Sequence, residues 1–210
     1  MNFLEKLVKT VLREDTATRA LWDMGLLGAH RVSMLTSQKL TQRPHPVYCY
    51  SSVEELTEAS STLTWTEDPW GGKLDIVKHP TYMQEAIDLH PAVSGDCDDY
   101  AFWWARALTK GRSKGKGEPL ATKVAIGMCL WRVDPRSVGG HACCVFTKPD
   151  GSMWWVSNWE GCKPLRIYSP DEWIDQMMGR EKKPLIVAGR VDVAGFEGDT
   201  VLPGKAVRRR

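Results

Sequence analysis

Nowhere in the 210 residues is there the run of about 18 apolar side chains that a membrane-spanning helix needs. Charge of one sign is also scarce. With 28 Lys and Arg against 26 Asp and Glu, the net charge is +2, so no overall field draws the chain to nucleic acid or to a membrane surface. There is no CxxC pair and no ladder of cysteine and histidine ligands, which argues against a structural zinc site. No internal repeat marks a solenoid or propeller. The opening "MNFLEKLVKTVLRED" interrupts its apolar residues with Glu5, Lys6 and Lys9, unlike the apolar core of a signal peptide. The expectation is therefore a non-secreted, cytoplasmic protein whose six cysteines are reduced thiols.

What is present is the composition of a folded domain, 42% hydrophobic and 26% charged, with ten tryptophans. Phe3, Leu4, Leu7, Val8, Val11 and Leu12 recur at helical spacing, and residues 1–45 read as an N-terminal helical extension. "TQRPHPVY" breaks that pattern and opens a main domain expected over 46–195. In it, "SSVEELTEAS" has a capping-box pattern (Ser52, Glu55), and "TYMQEAIDLHP" reads as a short helix. "TKVAIGMCLWRV", "GHACCVFTK" and "SMWWVSNW" read as strands, the last two joined by a type I turn at "KPDG". A helix over "SPDEWIDQMMG", stopped by Gly179, and a strand over "KPLIVAGRVDV" follow. Helices first and antiparallel strands afterwards make the class α+β. Residues 196–210, with Lys205 and Arg208 to Arg210, read as a basic, solvated tail. An anionic partner there is the one opening for nucleic acid.

"SGDCDDYAFWWARAL" is the unusual stretch. Cys97 stands among Asp96, Asp98 and Asp99 at the start of a helix, where free backbone N–H groups and the helix dipole favour a thiolate. Asp96 suits the N-cap, but three carboxylates oppose a charge on sulfur, so a cationic partner is required. His45, His79 and His90 each precede a proline, and His30 lies in the extension. His141 alone follows a glycine pair and opens a strand, so it is the candidate base.

A third residue orients the imidazole in such hydrolases. If Lys148 faces Gly151 across the turn, His141 lies opposite Asn158, with Cβ atoms about 5 Å apart. If Gly151 forms a bulge, the register slips by one and Ser157 comes onto the face of His141. An amide oxygen accepts an imidazole N–H better than a hydroxyl does, which favours Asn158. Trp103, Trp155 and Trp159 are candidates for walls of a substrate groove.

"GDCDDYA" followed by "GHACCVF…PDGSMWWVSN" resembles the transglutaminase-like superfamily of papain-like folds, closest to the bacterial transglutaminase-like cysteine proteinases. The resemblance covers roughly residues 80–165. It implies a papain-like core in which the nucleophile helix packs on an antiparallel sheet. Cys97 stands at its nucleophile and His141 at its base, and Asn158 stands where the family usually has aspartate. The implied reaction is attack of the Cys97 thiolate on a peptide, isopeptide or side-chain amide of a protein or peptide substrate. Water then completes hydrolysis, or an amine completes transglutamination. The Cys97 backbone N–H and one side chain, Gln84, Trp65 or Trp70, would hold the oxyanion. No cofactor is required. Calcium, bound by some members through acids near the cysteine, would fall to Asp96, Asp98 and Asp99, although these acids equally serve as helix caps. The rival of another class is an interaction or structural protein that retains the fold with Cys97 and His141 inactive.

Overall fold

The structure, a computed structural model, describes residues 50–66, 80–88, 93–113, 117–134, 138–166, 172–181, 185–197 and 200–208. The expected extension at 1–45 and the oxyanion candidate Trp70 lie outside the described residues.

The chain opens with α1 (Val53–Ser60), whose N-cap Ser52 accepts from the Glu55 N–H at 3.1 Å. The Glu55 carboxylate returns to the Ser51 N–H at 2.8 Å, one residue further back than in a regular capping box. Strand β1 (Leu63–Trp65) pairs in parallel with β2 (Val93–Gly95), and between them lies α2 (Pro80–Asp88). Proline at the first position of α2 suits a helix start, because its missing N–H would have had no helical acceptor. β2 runs directly into α3 (Cys97–Lys110), the 14-residue helix of the cysteine motif.

After α3 the chain builds an antiparallel sheet from β3 (Lys123–Arg132), β4 (Val138–Thr147), β5 (Met153–Ser157) and β6 (Gly161–Leu165). Helix α4 (Glu172–Glu181) follows, then β7 (Leu185–Glu197) and β8 (Thr200–Arg208). The strand order is β6-β5-β4-β3-β7-β8, with every neighbouring pair antiparallel. The class is thus α+β. No helix among the described residues is long and apolar enough to cross a membrane.

Two expectations are corrected here. Gly179 does not stop its helix, which continues to Glu181; the cost of an interior glycine, about 1 kcal/mol, is too small to end a helix alone. Most of the basic tail expected at 196–210 belongs to the sheet: β7 extends to Glu197, and 200–208 form β8. Val201, Leu202 and Val207 supply β-propensity there, and β8 is the last strand in the order. Lysine and proline are tolerated on such an edge, so Lys205 and Pro203 do not exclude a strand.

Alternation along β4 divides the core. Ala142, Cys144 and Phe146 face α1, α2 and α3, in one cluster with Leu56, Met83, Trp103, Trp104 and Leu108. Trp104 stacks on Phe146 with ring centroids 6.3 Å apart, locking α3 onto the sheet. Cys143 and Val145 face the other way, with Cys129, Trp131, Trp155, Ala188 and, from α4, Trp173 and Ile174. The sheet is therefore covered on both faces, and His141 belongs by alternation to the α4 side.

Candidate active site

Cys97 is the first residue of α3, as its sequence implied, and it is half-buried. Asp96 is the N-cap, and Asp96 and Asp99 form a reciprocal capping box. The Asp96 N–H donates to Asp99 Oδ2 at 3.2 Å, and the Asp99 N–H is shared between Asp98 Oδ1 at 2.7 Å and Asp96 Oδ1 at 3.5 Å. One ligand atom from each of the three acids lies within 4.8 Å of the others, a spacing that would admit a cation. Each carboxylate is also already accepting a backbone N–H, so capping accounts for the trio without a metal.

Cys97 and Cys162 are the partly exposed thiols among the described cysteines. Cys129, Cys143 and Cys144 are buried. Burial holds the Cys143 and Cys144 thiols well above their ordinary range. Cys162 is partly exposed, yet burial still pushes it up to about 11. For Cys143, the neighbouring thiols of Cys144, Cys129 and Cys97 raise it further. Cys97 packs against the α3-side cluster, whereas Cys143 and, two residues before it, His141 belong to the α4 side of β4.

His141 is buried, with 3% of its surface exposed, opposite Cys129 on β3. Its ring stacks on the Trp159 indole, with centroids 3.9 Å apart and planes inclined by 18°. Trp131 meets Trp159 edge to face at 6.0 Å.

The third residue is not where it was expected. Cys144 pairs with Val156 and Thr147 with Met153, one step away from the register that sets His141 opposite Asn158. The cause is the turn. Gly151 takes φ +85 after a Lys148–Gly151 turn closed by Gly151 N–H donating to Lys148 O at 3.0 Å, and the Lys148 N–H then reaches Ser152 O. The extra residue shifts β5 by one and turns Ser157 to the side of Cys143 and His141. Neither polar atom of the buried Asn158 amide has a hydrogen-bond partner among the described residues, so Asn158 does not orient His141.

The remaining candidates are also resolved. Gln84 is 2% exposed, and its amide N–H groups donate to Tyr50 Oη at 2.9 Å and Asp88 Oδ1 at 2.8 Å. Its oxygen accepts from Trp103 Nε1 at 3.1 Å, so it has no donor left for an oxyanion. Trp103 is fully buried in the α3 core and lines no groove. Trp155 is equally buried and donates its indole N–H to Gln176 Oε1 at 2.8 Å. Both bury their rings because large aromatics fill cores before they line surfaces. Trp65 is different. It is 54% exposed and pairs with Gly95, two residues ahead of Cys97.

Sequence reasoning missed Trp131, whose indole lies across Gly139, and the turn that Ser157 makes. The "SNWE" pattern is a serine-initiated turn signal that pointed to the latter.

No family model, curated protein or solved structure matches the chain. The site must therefore be read from its own geometry.

Proposed function

We propose that the protein is a thiol hydrolase of papain-like core that cleaves a peptide, isopeptide or side-chain amide bond, with Cys97 as nucleophile and His141 as base. The observation that carries the reading is the placement of Cys97. It is a half-buried thiol at the first position of a capped helix, while burial holds the thiols of Cys143, Cys144 and Cys162 up. Orphan N–H groups and the dipole of α3 favour negative charge at that point.

In the reaction, the Cys97 thiolate forms a C–S bond to the carbonyl carbon, and the C–N bond breaks as His141 gives its proton to the leaving amine. Water then attacks the thioester, His141 takes the water's proton, and the C–S bond breaks to release the acid and restore the thiolate. The Cys97 N–H is one oxyanion donor. An amine in place of water makes the same site a transglutaminase. Exposed Trp65, next to the strand that leads into Cys97, gives a substrate an apolar surface to rest on.

One observation favours a second reading, an interaction or structural protein retaining the fold: His141 is almost wholly covered, in part by Trp159. Site-by-site iodoacetamide labelling, read by peptide mass spectrometry from about pH 5 to 9, separates the two. The hydrolase reading expects Cys97 to label fast near pH 6 and to lose that advantage in His141→Ala. Cys143, Cys144 and Cys162 serve as slow internal controls. Cys97 labelling no faster than these, and indifferent to His141, overturns the enzyme reading.

A further inference from the structure

We propose that Trp159 is a positioning residue of His141, fixing the plane of the imidazole by ring stacking. The proposal rests on the reading of Cys97 and His141 given above. Its starting point is that neither neighbour on β5 suits the usual role. Ser157 has the right face, but its hydroxyl oxygen already accepts two backbone N–H groups, from Trp159 and Glu160, each at 3.2 Å. A serine oxygen has two lone pairs, so it has none left to receive an imidazole N–H. The Asn158 amide bonds to nothing among the described residues.

Those two bonds give Ser157 another task, which is to fold the turn that carries Trp159 back over the sheet. The indole then lies on His141 nearly face to face, at 3.9 Å and 18°. Trp159 is held in turn by the edge of Trp131 at 6.0 Å. Trp131 is fixed by the backbone across the strand pair: a Cβ on Gly139 would come within 2.7 Å of its Nε1 and Cε2 atoms. From the Gly139 backbone through Trp131 and Trp159 to His141, each ring has its plane set by the one before. Stacking fixes the imidazole plane, and the indole π-face also favours the imidazolium that pairs with a thiolate. Among the described residues, Cys129 across the strand pair, Cys143 along β4 and, by register, Arg190 and Asp192 of β7 are titratable groups on this face.

The test uses Trp159→Leu, which removes the π-face, Trp159→Phe, which keeps one, and Asn158→Ala, beside wild type and His141→Ala. Two signals are read: the rate of Cys97 labelling by iodoacetamide, and the proton shift of the His141 ring C–H, which the indole ring current moves upfield. The expected result is a labelling rate about 5- to 30-fold lower in Trp159→Leu, with the His141 signal moving downfield. Trp159→Phe restores most of both, and Asn158→Ala changes neither. Wild-type labelling in Trp159→Leu, or an Asn158→Ala loss as large as that of His141→Ala, overturns the proposal. If Trp159→Leu does not fold, a wild-type His141 ring C–H signal that is not upfield of its position in the denatured protein overturns it as well. Failure of the hydrolase reading shows separately, as His141→Ala labelling Cys97 at the wild-type rate. The ring-proton shift decides on the stacking whichever way that arm falls.

Discussion

Asp99→Ala is expected to destabilise the protein by about 2 kcal/mol, and by more than Asp96→Ala. Asp99 is fully buried at the third position of α3, and its Oδ2 receives the Asp96 N–H at 3.2 Å. The pocket is closed by Gly95, where an added Cβ would lie 2.9 Å from both Asp99 Oδ2 and Met83 Cε. A methyl group at 99 would leave the Asp96 N–H without its acceptor, at the usual cost of about 1–3 kcal/mol for a buried unsatisfied group. Asp96→Ala removes only the 3.5 Å contact to the Asp99 N–H, which keeps Asp98 Oδ1 at 2.7 Å, so its cost falls near the low end for a cap, about 0.5 kcal/mol. Asp99→Asn keeps an acceptor oxygen and recovers most of the loss. In thermal melts, 2 kcal/mol corresponds to about 4–8 °C for a chain of this size. If Asp96→Ala proves the more damaging, or Asp99→Asn no better than Asp99→Ala, the capping account of this acidic cluster is refuted.

Two further outcomes follow from the same geometry. Gly139→Ala should cost about 1–3 kcal/mol, because its Cβ meets the buried Trp131 indole, whereas Gly140→Ala meets chiefly the flexible Leu130 Cδ2 and should cost less; urea melts of both variants give the order. Stability should also fall as pH rises from about 9 towards 11. The unfolded chain ionises Cys162 near its ordinary value of 9.0, while the folded protein holds that thiol up to about 11, so the unfolded state loses its proton first and is favoured. A shift of that size corresponds to about 3 kcal/mol. Cys143 and Cys144 act in the same direction, and a Cys162→Ser variant with a shallower alkaline slope is the check.

The parts of this fold that sequence made legible are those set by local chemistry. Asp96 as cap, Cys97 at the helix start, the three strands from 123 to 157 and the Lys148–Gly151 turn each rest on propensity or on capping within a few residues. Illegible were the features that depend on which groups meet in space. Gln84 looked like a free donor because nothing in the chain says that Tyr50, Asp88 and Trp103 converge on it. Trp103 and Trp155 looked available for a groove because one aromatic in a motif reads like another until burial separates them. The final strand was hidden by its charge, since Lys205 and Arg208 read as a solvated end and also suit the edge of a sheet.

The identity of the residue beside His141 turned on Gly151, and this leads to a last prediction. A Cβ at 151 would meet nothing within 4 Å, so Gly151→Ala suffers no clash and bears only the cost of φ +85, about 1–2 kcal/mol. The mutant could relieve that strain by moving β5 to the unbulged register, with Asn158 opposite His141. The core opposes this. A one-residue slip would turn Trp155 towards Phe146 and Trp104, where Val156 now fits, and would leave its present place beside Trp173 to the smaller Val156. Overpacking on one face and a cavity on the other each cost as much as the strain or more. The strained turn is therefore expected to persist. Gly151→Ala should melt earlier by roughly 2–8 °C, while the His141 ring-proton signal stays in the shadow of Trp159. A signal that moves as it does in Trp159→Leu would show that the turn, and not the packing of Trp155 and Val156, sets the register.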